Sequence, residues 1–126
     1  MPQPIAVADG ICFAFPDILK TPSPSGSTPV PYPNIAQLAD AKRKARNVNA
    51  GGKAVITQDS EIPKSSGGEA GTGGPGPNKE CTFTTASKTV KANGKAVVRQ
   101  FDSTSQNGGN AIGQVMSGVA TVLVGG

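Results

Sequence analysis

The amino-acid sequence predicts a mainly β fold, a small cone or prism of short hairpins joined by long loops rich in glycine and proline. Three observations predict this class. The 126 residues include 17 Gly and 11 Pro, which disfavour helices. A short segment occurs twice, each time after a dipeptide that favours a tight turn. Most other large apolar residues fall in short segments typical of strands. The length fits one domain, residues 1–126.

The N-terminal part is dominated by a proline block at residues 13–36. Residues 1–10 are predicted to be a short polar lead, and residues 11–15 a first strand. Each proline fixes its own φ, lacks an N–H donor and disfavours helix in the residue before it, so the block must consist of turns and extended pieces. Large apolar residues interleave with the prolines, which favours an ordered segment over a flexible linker.

A short helix is predicted at residues 35–46, because Asn34 is a good N-cap and apolar side chains recur on one face. A longer loop with one helical turn fits the same residues. The segment ends in the one basic cluster of the chain, which we interpret as a solvated face. The cluster comprises Lys42, Arg43, Lys44 and Arg46.

An internal repeat follows. The segment at residues 52–58 returns, with small changes, as residues 94–100. Each copy continues through an Asp-Ser pair to a Gly-Gly-x-Ala stretch, with short insertions such as Phe101 accounting for the altered spacing. Two copies of one supersecondary unit are therefore predicted. A third unit has to come from residues 11–15 with the proline block or from the C-terminal strand, and the sequence does not choose.

Each copy predicts a hairpin. Asn93-Gly94 tolerates the positive φ values of a primed turn, and Gly51-Gly52 can do the same. The strands would be residues 89–92 with 95–99, and residues 48–50 with 54–58.

Two further strands and one loop complete the pattern. Residues 81–85 alternate, which places Cys81, Phe83 and Thr85 on one face, and residues 119–124 form a last apolar strand. Between the copies, the glycine-rich residues 65–77 predict a loop.

Several of these motifs together resemble the PAAR-like domain family of bacterial type VI secretion systems. The resemblance covers nearly the whole chain, and the proline block carries its most specific part. The motif residues are Phe15, Pro16 and Asp17; Pro29, Pro31, Tyr32, Pro33 and Asn34; the stretch at residues 59–72; and Asn93, Gly94 and Lys95.

The resemblance implies a structural role at the tip of a contractile needle. Proteins of this family are small cones that cap the trimeric valine-glycine repeat (VgrG-type) spike, one copy per trimer, and they sharpen it for membrane puncture. An effector or its adaptor can ride on such a tip. The contact candidates for the spike are apolar strand residues, for which the domain core is the alternative location. They are Val97, Val98, Val119, Val122 and Val124.

Metal binding is where the sequence departs from the family. Standard members are described as holding zinc with histidines and a cysteine, whereas this chain has no histidine, so we predict no histidine-type zinc site and no cofactor. Cys12 and Cys81 remain as weak metal candidates. The interpretations that the sequence favours over metal are buried small hydrophobes, first, and a disulfide formed after export, second.

Other functional classes have less support. Without histidine the usual Ser-His and Cys-His activations are missing. The carboxylates show no motif spacing beyond Asp59 and Glu61, which we interpret as flanking a turn, so no enzyme is predicted. A small nucleic-acid-binding β module is an alternative based on the basic cluster and net charge of +4, but no aromatic residues interleave with the basic ones. The tip protein of a phage-like tail is a further alternative, distinguished only by its partner.

The sequence also predicts where the chain is made. Residues 1–10 lack the basic start and apolar run of a signal peptide, and no stretch is long enough to span a membrane. We therefore expect synthesis in the cytoplasm, and the resemblance implies a bacterial chain that the secretion apparatus delivers outside or into a target cell.

Overall fold

The fold is built from twelve strands and contains no α-helix in the part that the structure describes. The computed structural model describes residues 3–24, 26–45, 47–73, 76 and 78–125. Strands make up 53% of it, so the predicted mainly β class is confirmed. The strands are β1 (Gln3–Ile5), β2 (Ile11–Ser23), β3 (Gly26–Gln37), β4 (Asn49–Ala50), β5 (Lys53–Ala54), β6 (Glu61–Ile62), β7 (Cys81–Phe83), β8 (Lys91–Ala92), β9 (Lys95–Ala96), β10 (Ser103–Gln106), β11 (Ala111–Val115) and β12 (Val119–Val124).

A six-stranded antiparallel sheet holds the proline block. Its strand order is β3-β2-β11-β10-β7-β6. β2 and β3 form one long hairpin whose register runs from Ile11 opposite Gln37 to Ser23 opposite Gly26, with an irregularity between Ala14 and Asp17. The prediction of extended pieces is confirmed, and the first strand continues well past the predicted end at residue 15.

The prolines of β3 lie along the open edge of this sheet. Ile35 donates its N–H outward to the carbonyl of Ser66, at 2.8 Å. Because N–H groups alternate sides along a strand, Pro29, Pro31 and Pro33 place their nitrogens on the same outer side as Ile35. No bond to β2 is lost there, and the outer edge has no N–H donor at these three positions.

Restoring those N–H donors should allow the edge of β3 to pair with a second copy of the chain. We expect the double variant Pro29→Thr/Pro31→Thr to show a larger apparent mass than the wild type in concentration-dependent light scattering, because an edge with both donors and acceptors can pair with a second copy. Pro63→Thr, an exposed proline outside any strand, is the matched control. Equal masses for the double variant and the wild type would contradict this role of the prolines.

Three short hairpins form the other part of the molecule. β4 pairs with β5 and β8 with β9 around the predicted turns, in which Gly51, Gly52, Asn93 and Gly94 all have positive φ. Both predicted hairpins are confirmed. They are shorter than expected. Val55 and Val97 still bond to their own hairpin partners, but the next donors along each strand, Ile56 and Gln58 or Val98 and Gln100, bond to neighbouring units.

The third two-stranded unit pairs strands from opposite ends of the sequence, and we call it the third hairpin although no turn connects its strands. β12 occupies the predicted residues 119–124 and pairs with β1, with Val124 opposite Gln3. This pairing selects the C-terminal strand as the source of the third unit. The description of residues 1–10 as a polar lead is wrong, because Gln3–Ile5 is a strand and Ile5, Ala6 and Val7 are buried.

The three units close around a pseudo-threefold axis. Ala6 donates its N–H to the carbonyl of Val98 at 2.9 Å, Val98 donates to Ile56 at 3.0 Å, and Ile56 donates to Ala6 at 3.0 Å. A second cycle of bonds surrounds the first, in which the units donate in the opposite direction around the axis. Its bonds run from Ala8 to Ala54, from Gln58 to Ala96 and from Gln100 to Pro4.

The inner strands around this axis separate the core into two halves. Successive residues of the inner strands point to opposite sides, so Ile5, Val55 and Val97 face the hairpins and Ala6, Ile56 and Val98 face the large sheet. We call the first side the hairpin end and the second the sheet end. Alanine and valine supply most of the hairpin-end core, as expected from a chain with few large apolar residues.

The helix predicted at residues 35–46 is wrong in its main form. Ile35 belongs to β3, and only Leu38–Asp40 forms a single 3₁₀ turn, which matches the alternative of a loop with one helical turn. Leu38 donates its N–H to Gly10, and Lys42 donates to Glu61. Because these donors pair with distant backbone carbonyls, they are not available to an α-helix.

The interpretation of Phe101 as an insertion is also wrong. In the first copy, the backbone N–H of Thr57 donates to the hydroxyl of Ser60. In the equivalent turn of the second copy, the backbone N–H of Arg99 donates to the carboxylate of Asp102. Asp102 therefore corresponds to Ser60, and Phe101 to Asp59. The hydrogen bonds from Arg99 to Asp102 also raise the pKa of the Arg99 guanidinium. No helix in the described residues has the length and apolarity that crossing a membrane requires.

Candidate functional site

The hairpin end presents the same surface three times. Ala50, Ala92 and Val124 are equivalent, because they pair with Lys53, Lys95 and Gln3 at the same point of each hairpin. The residue two positions earlier is a valine in every unit. We call Val48, Val90 and Val122 the valine triplet.

The valine triplet is partly exposed to nearly the same extent in all three units. The exposed fractions are 36% for Val48, 38% for Val90 and 37% for Val122. The backbone bond repeats in two of the units, since Val55 donates its N–H to the carbonyl of Val48 and Val97 donates to that of Val90, both at 3.1 Å. In the third unit the register shifts between Pro4 and Ile5, so Ile5 lies opposite Val119. Three matched apolar contacts therefore border the hairpin-end core.

Strand edges accompany these valines. Each hairpin is a two-stranded sheet whose inner strand also bonds to the neighbouring units, so the edge without a further ladder partner in the described part of the chain is that of the outer strand, β4, β8 or β12. An open edge offers unpaired N–H and C=O groups to an added strand. The hairpin end thus combines apolar side chains with backbone donors and acceptors.

The residues that the sequence suggested for a spike contact are divided between core and surface. Val97, Val98 and Val124 are buried in the core, which leaves them no surface to offer. Val119 is partly buried, and Val122 is exposed. Sequence reasoning missed Val48 and Val90, although the signal was present: each stands at the same distance before its copy of the repeat.

The motif residues of the proline block serve a buried polar cluster at the sheet end. Asp17 is fully buried, and its carboxylate accepts bonds from the side-chain amides of Asn107 at 3.0 Å and Asn110 at 2.6 Å. Asn34 donates to the hydroxyl of Ser65 at 3.0 Å and accepts from Gln106 at 3.0 Å. These bonds join the long hairpin to β10, to the 3₁₀ turn Asn107–Gly109 and to the glycine-rich loop.

The other motif residues lie around this cluster. Tyr32 shares a hydrogen bond of 2.6 Å with the hydroxyl of Thr21 across the long hairpin. Phe15 is exposed, and the Phe15–Pro16 peptide is cis. The motif therefore builds and fastens the long hairpin.

The glycine-rich loop predicted at residues 65–77 packs against that hairpin. A Cβ at Gly71 would lie 2.4 Å from the Cβ of Leu19, and one at Gly68 would lie 2.7 Å from a methyl carbon of Leu19. Gly73 donates its N–H to the carbonyl of Lys20 at 2.8 Å. Residues 74, 75 and 77 of the predicted loop lie outside the described residues.

The basic cluster has acidic neighbours. The guanidinium of Arg43 lies 3.2 Å from the carboxylate of Glu61 and 3.8 Å from that of Asp59, and Lys95 also reaches Asp59 at 3.8 Å. These side chains are largely exposed, so the pairs add little stability. Arg46 lies outside the described residues. The arrangement favours the interpretation of a solvated face.

The two cysteines are buried and not disulfide-bonded. A hydrogen bond with Cys81 and burial raise the pKa of the Cys12 thiol. Among the described residues, no three Cys, Asp or Glu side chains lie close enough together to hold a metal ion. Two thiols do not supply the four ligands of a structural zinc, so the donor set does not fit the family's metal.

One groove is mostly apolar and carries no charged side chain. It has a volume of about 390 Å³ on the outer face of the large sheet. None of its lining side chains is a carboxylate, a lysine, an arginine or a cysteine, so the groove lacks the usual groups for acid–base or nucleophilic chemistry. The lining residues are Phe13, Phe15, Ser103, Ile112, Gly113, Gln114 and Met116.

Comparison with known proteins identifies the family. The model of the Toxin PAAR-like domain matches residues 10–113, a range that includes the β4–β5 and β8–β9 hairpins but neither β1 nor β12. No curated protein and no solved structure matches the chain. The match spans most of the sequence and confirms the resemblance seen in the motifs. The chain therefore belongs to the Toxin PAAR-like domain family.

Proposed function

We propose that this chain is the tip protein of a type VI secretion spike, and that one copy caps a trimeric VgrG-type spike protein. The PAAR-like family is associated with such tips and is a family of structural domains rather than enzymes. The observation that carries the proposal is the valine triplet, because one chain offers the same apolar contact three times around one axis.

Symmetry is the main requirement for such a cap. A single chain that closes a three-chain needle must present three similar surfaces, or two of the three subunits would meet an unmatched neighbour. The hairpins meet this requirement through their backbone cycles and their matched valines. Each spike subunit would then contact one hairpin of the cap.

Two contributions would hold the cap in place. The open edges of the hairpins can extend the β-structure at the end of the spike, which satisfies backbone groups of both partners. The valine triplet would be buried in the same contact and would lose its remaining exposure to water. Together these contacts favour a dry interface closed on all three sides.

The sheet end would then lead during puncture. The long hairpin has a proline edge without donors, and the buried polar cluster fastens its base to three other segments. Both features favour a tip that neither unfolds nor adheres to other copies. Delivery would carry the chain from the cytoplasm to the outside or into the target cell, with an effector or its adaptor as further cargo.

Co-purification tests the proposal directly. We expect the chain to co-purify with the VgrG-type protein of its own secretion system, and native mass spectrometry to show one copy of the chain per spike trimer. A spike protein from a distant system is the control for nonspecific association. Three copies per trimer, or no complex at all, would refute the cap.

A further inference from the structure

The fold brings together the only two cysteines of the chain. Cys12 lies on β2 between Ala36 of β3 and Val115 of β11, and Cys81 lies on β7 opposite Ile62. Both are fully buried in the sheet-end core. Residues that are far apart in the sequence therefore share one small apolar space.

The pseudo-threefold axis relates Cys12 to Ile62, which is the ladder partner of Cys81. The residue before Cys12, Ile11, accepts a bond from Met116, and Glu61, the residue before Ile62, accepts the equivalent bond from Lys42. Cys12 and Ile62 thus occupy matching positions in two units. Cys81 is paired with Ile62 on β6, so it lies beside a residue that is related to Cys12 by the axis.

Cys81 is the neighbour that most raises the pKa of the Cys12 thiol, so the two thiols lie close together in the sheet-end core. Burial raises this pKa further and shields Cys12 from solvent. A protonated, buried thiol is a poor nucleophile, so the folded chain should stay reduced where small thiols are abundant. Both free thiols lie inside one buried cluster, so a bond between them would form within the sheet-end core.

We propose that Cys12 and Cys81 form a disulfide when the chain meets an oxidising environment, and that this bond ties β2 of the long hairpin to β7. Under the proposed function, the change of environment comes with export from the cytoplasm. The bond would close a loop of most of the chain and fix the base of the leading hairpin to the opposite side of the sheet-end core.

The chemistry needs a small-molecule disulfide such as glutathione disulfide. One cysteine thiolate attacks it, forms a mixed disulfide and releases one glutathione thiol. The thiolate of the second cysteine then attacks the cysteine sulfur of the mixed disulfide and releases the second glutathione thiol. In total the protein loses two protons and two electrons, and glutathione disulfide takes them up. Because both thiols are buried, the first attack requires local opening or occurs before folding is complete.

Oxidative refolding of the free chain tests the proposal. The wild type is unfolded in urea and refolded with glutathione disulfide, and its intact mass is compared with that of a sample refolded in reductant. We expect the oxidised chain to be about 2 Da lighter, to remain monomeric and to melt about 10 °C higher than the reduced one. A native sample in the same oxidant should reach this product more slowly.

Cys12→Ser and Cys81→Ser are the matched controls. Neither variant should lose the 2 Da or gain thermal stability, and each should carry at most one glutathione. The wild-type comparison does not depend on these variants folding. Two titratable thiols after oxidative refolding, stable mixed disulfides, or intermolecular dimers would each overturn the proposal. Spike binding measured in reductant is independent of this result, so failure of the disulfide and failure of the cap are distinguishable.

Discussion

Replacing Val48, Val90 and Val122 together with aspartate is expected to abolish binding to the spike trimer while the free chain stays folded. Each valine already keeps more than a third of its surface in water, so a carboxylate is tolerated in the free protein. In the complex the three carboxylates would be buried without partners, and three such penalties weaken binding by at least about 1,000-fold. Biolayer interferometry against immobilised spike measures the loss, and a thermal melt checks the fold.

The single variants make this prediction sharper. If the three hairpins meet three equivalent subunits, Val48→Asp, Val90→Asp and Val122→Asp should weaken binding by similar factors. Ile112→Asp is the matched control, because Ile112 is an exposed apolar residue of the large sheet and lies away from the hairpins. Wild-type affinity of the triple variant would refute the proposed contact. A loss carried entirely by one valine would refute the threefold arrangement.

Local sequence signals predicted the hairpins well. Gly51-Gly52 and Asn93-Gly94 favour positive φ through their own chemistry, and the structure has both turns. The third hairpin was not predicted in full, because its strands are at opposite ends of the sequence and no turn dipeptide within one segment links them. Its inner strand, around Ile5 and Val7, resembles the repeat only in its buried positions.

The site was harder to predict than the fold. Hydrophobicity alone does not distinguish a core valine such as Val98 from a surface valine such as Val90. The difference comes from the pseudo-threefold cycle, which buries residues next to the axis and leaves the valines two positions before Ala50, Ala92 and Val124 partly exposed. Likewise, the helix expected after Asn34 did not form, since Asn34 is a buried member of the polar cluster and not a cap.

That polar cluster leads to the second prediction with a large expected effect. Asp17→Asn keeps the size of the side chain but should destabilise the fold by about 3 kcal/mol. Asp17 uses both carboxylate oxygens as acceptors, one for Asn107 and one for Asn110. An amide has only one such oxygen, so its NH₂ group would face another NH₂ donor inside the core. Urea denaturation, followed by circular dichroism, measures the change.

Asp40→Asn is the matched control for this substitution, because it makes the same chemical change at an exposed position of the 3₁₀ turn. It should alter the free energy of unfolding by less than about 0.5 kcal/mol. Asn110→Ala adds a test of the contact itself. We compare the free energies of unfolding of Asp17→Ala, Asn110→Ala and the double variant. If Asp17 and Asn110 are coupled, the decrease in the double variant should be smaller than the sum of the two single decreases by at least about 1 kcal/mol. Additive losses, or an Asp17→Asn variant as stable as Asp40→Asn, would mean that the buried carboxylate does not fasten the long hairpin.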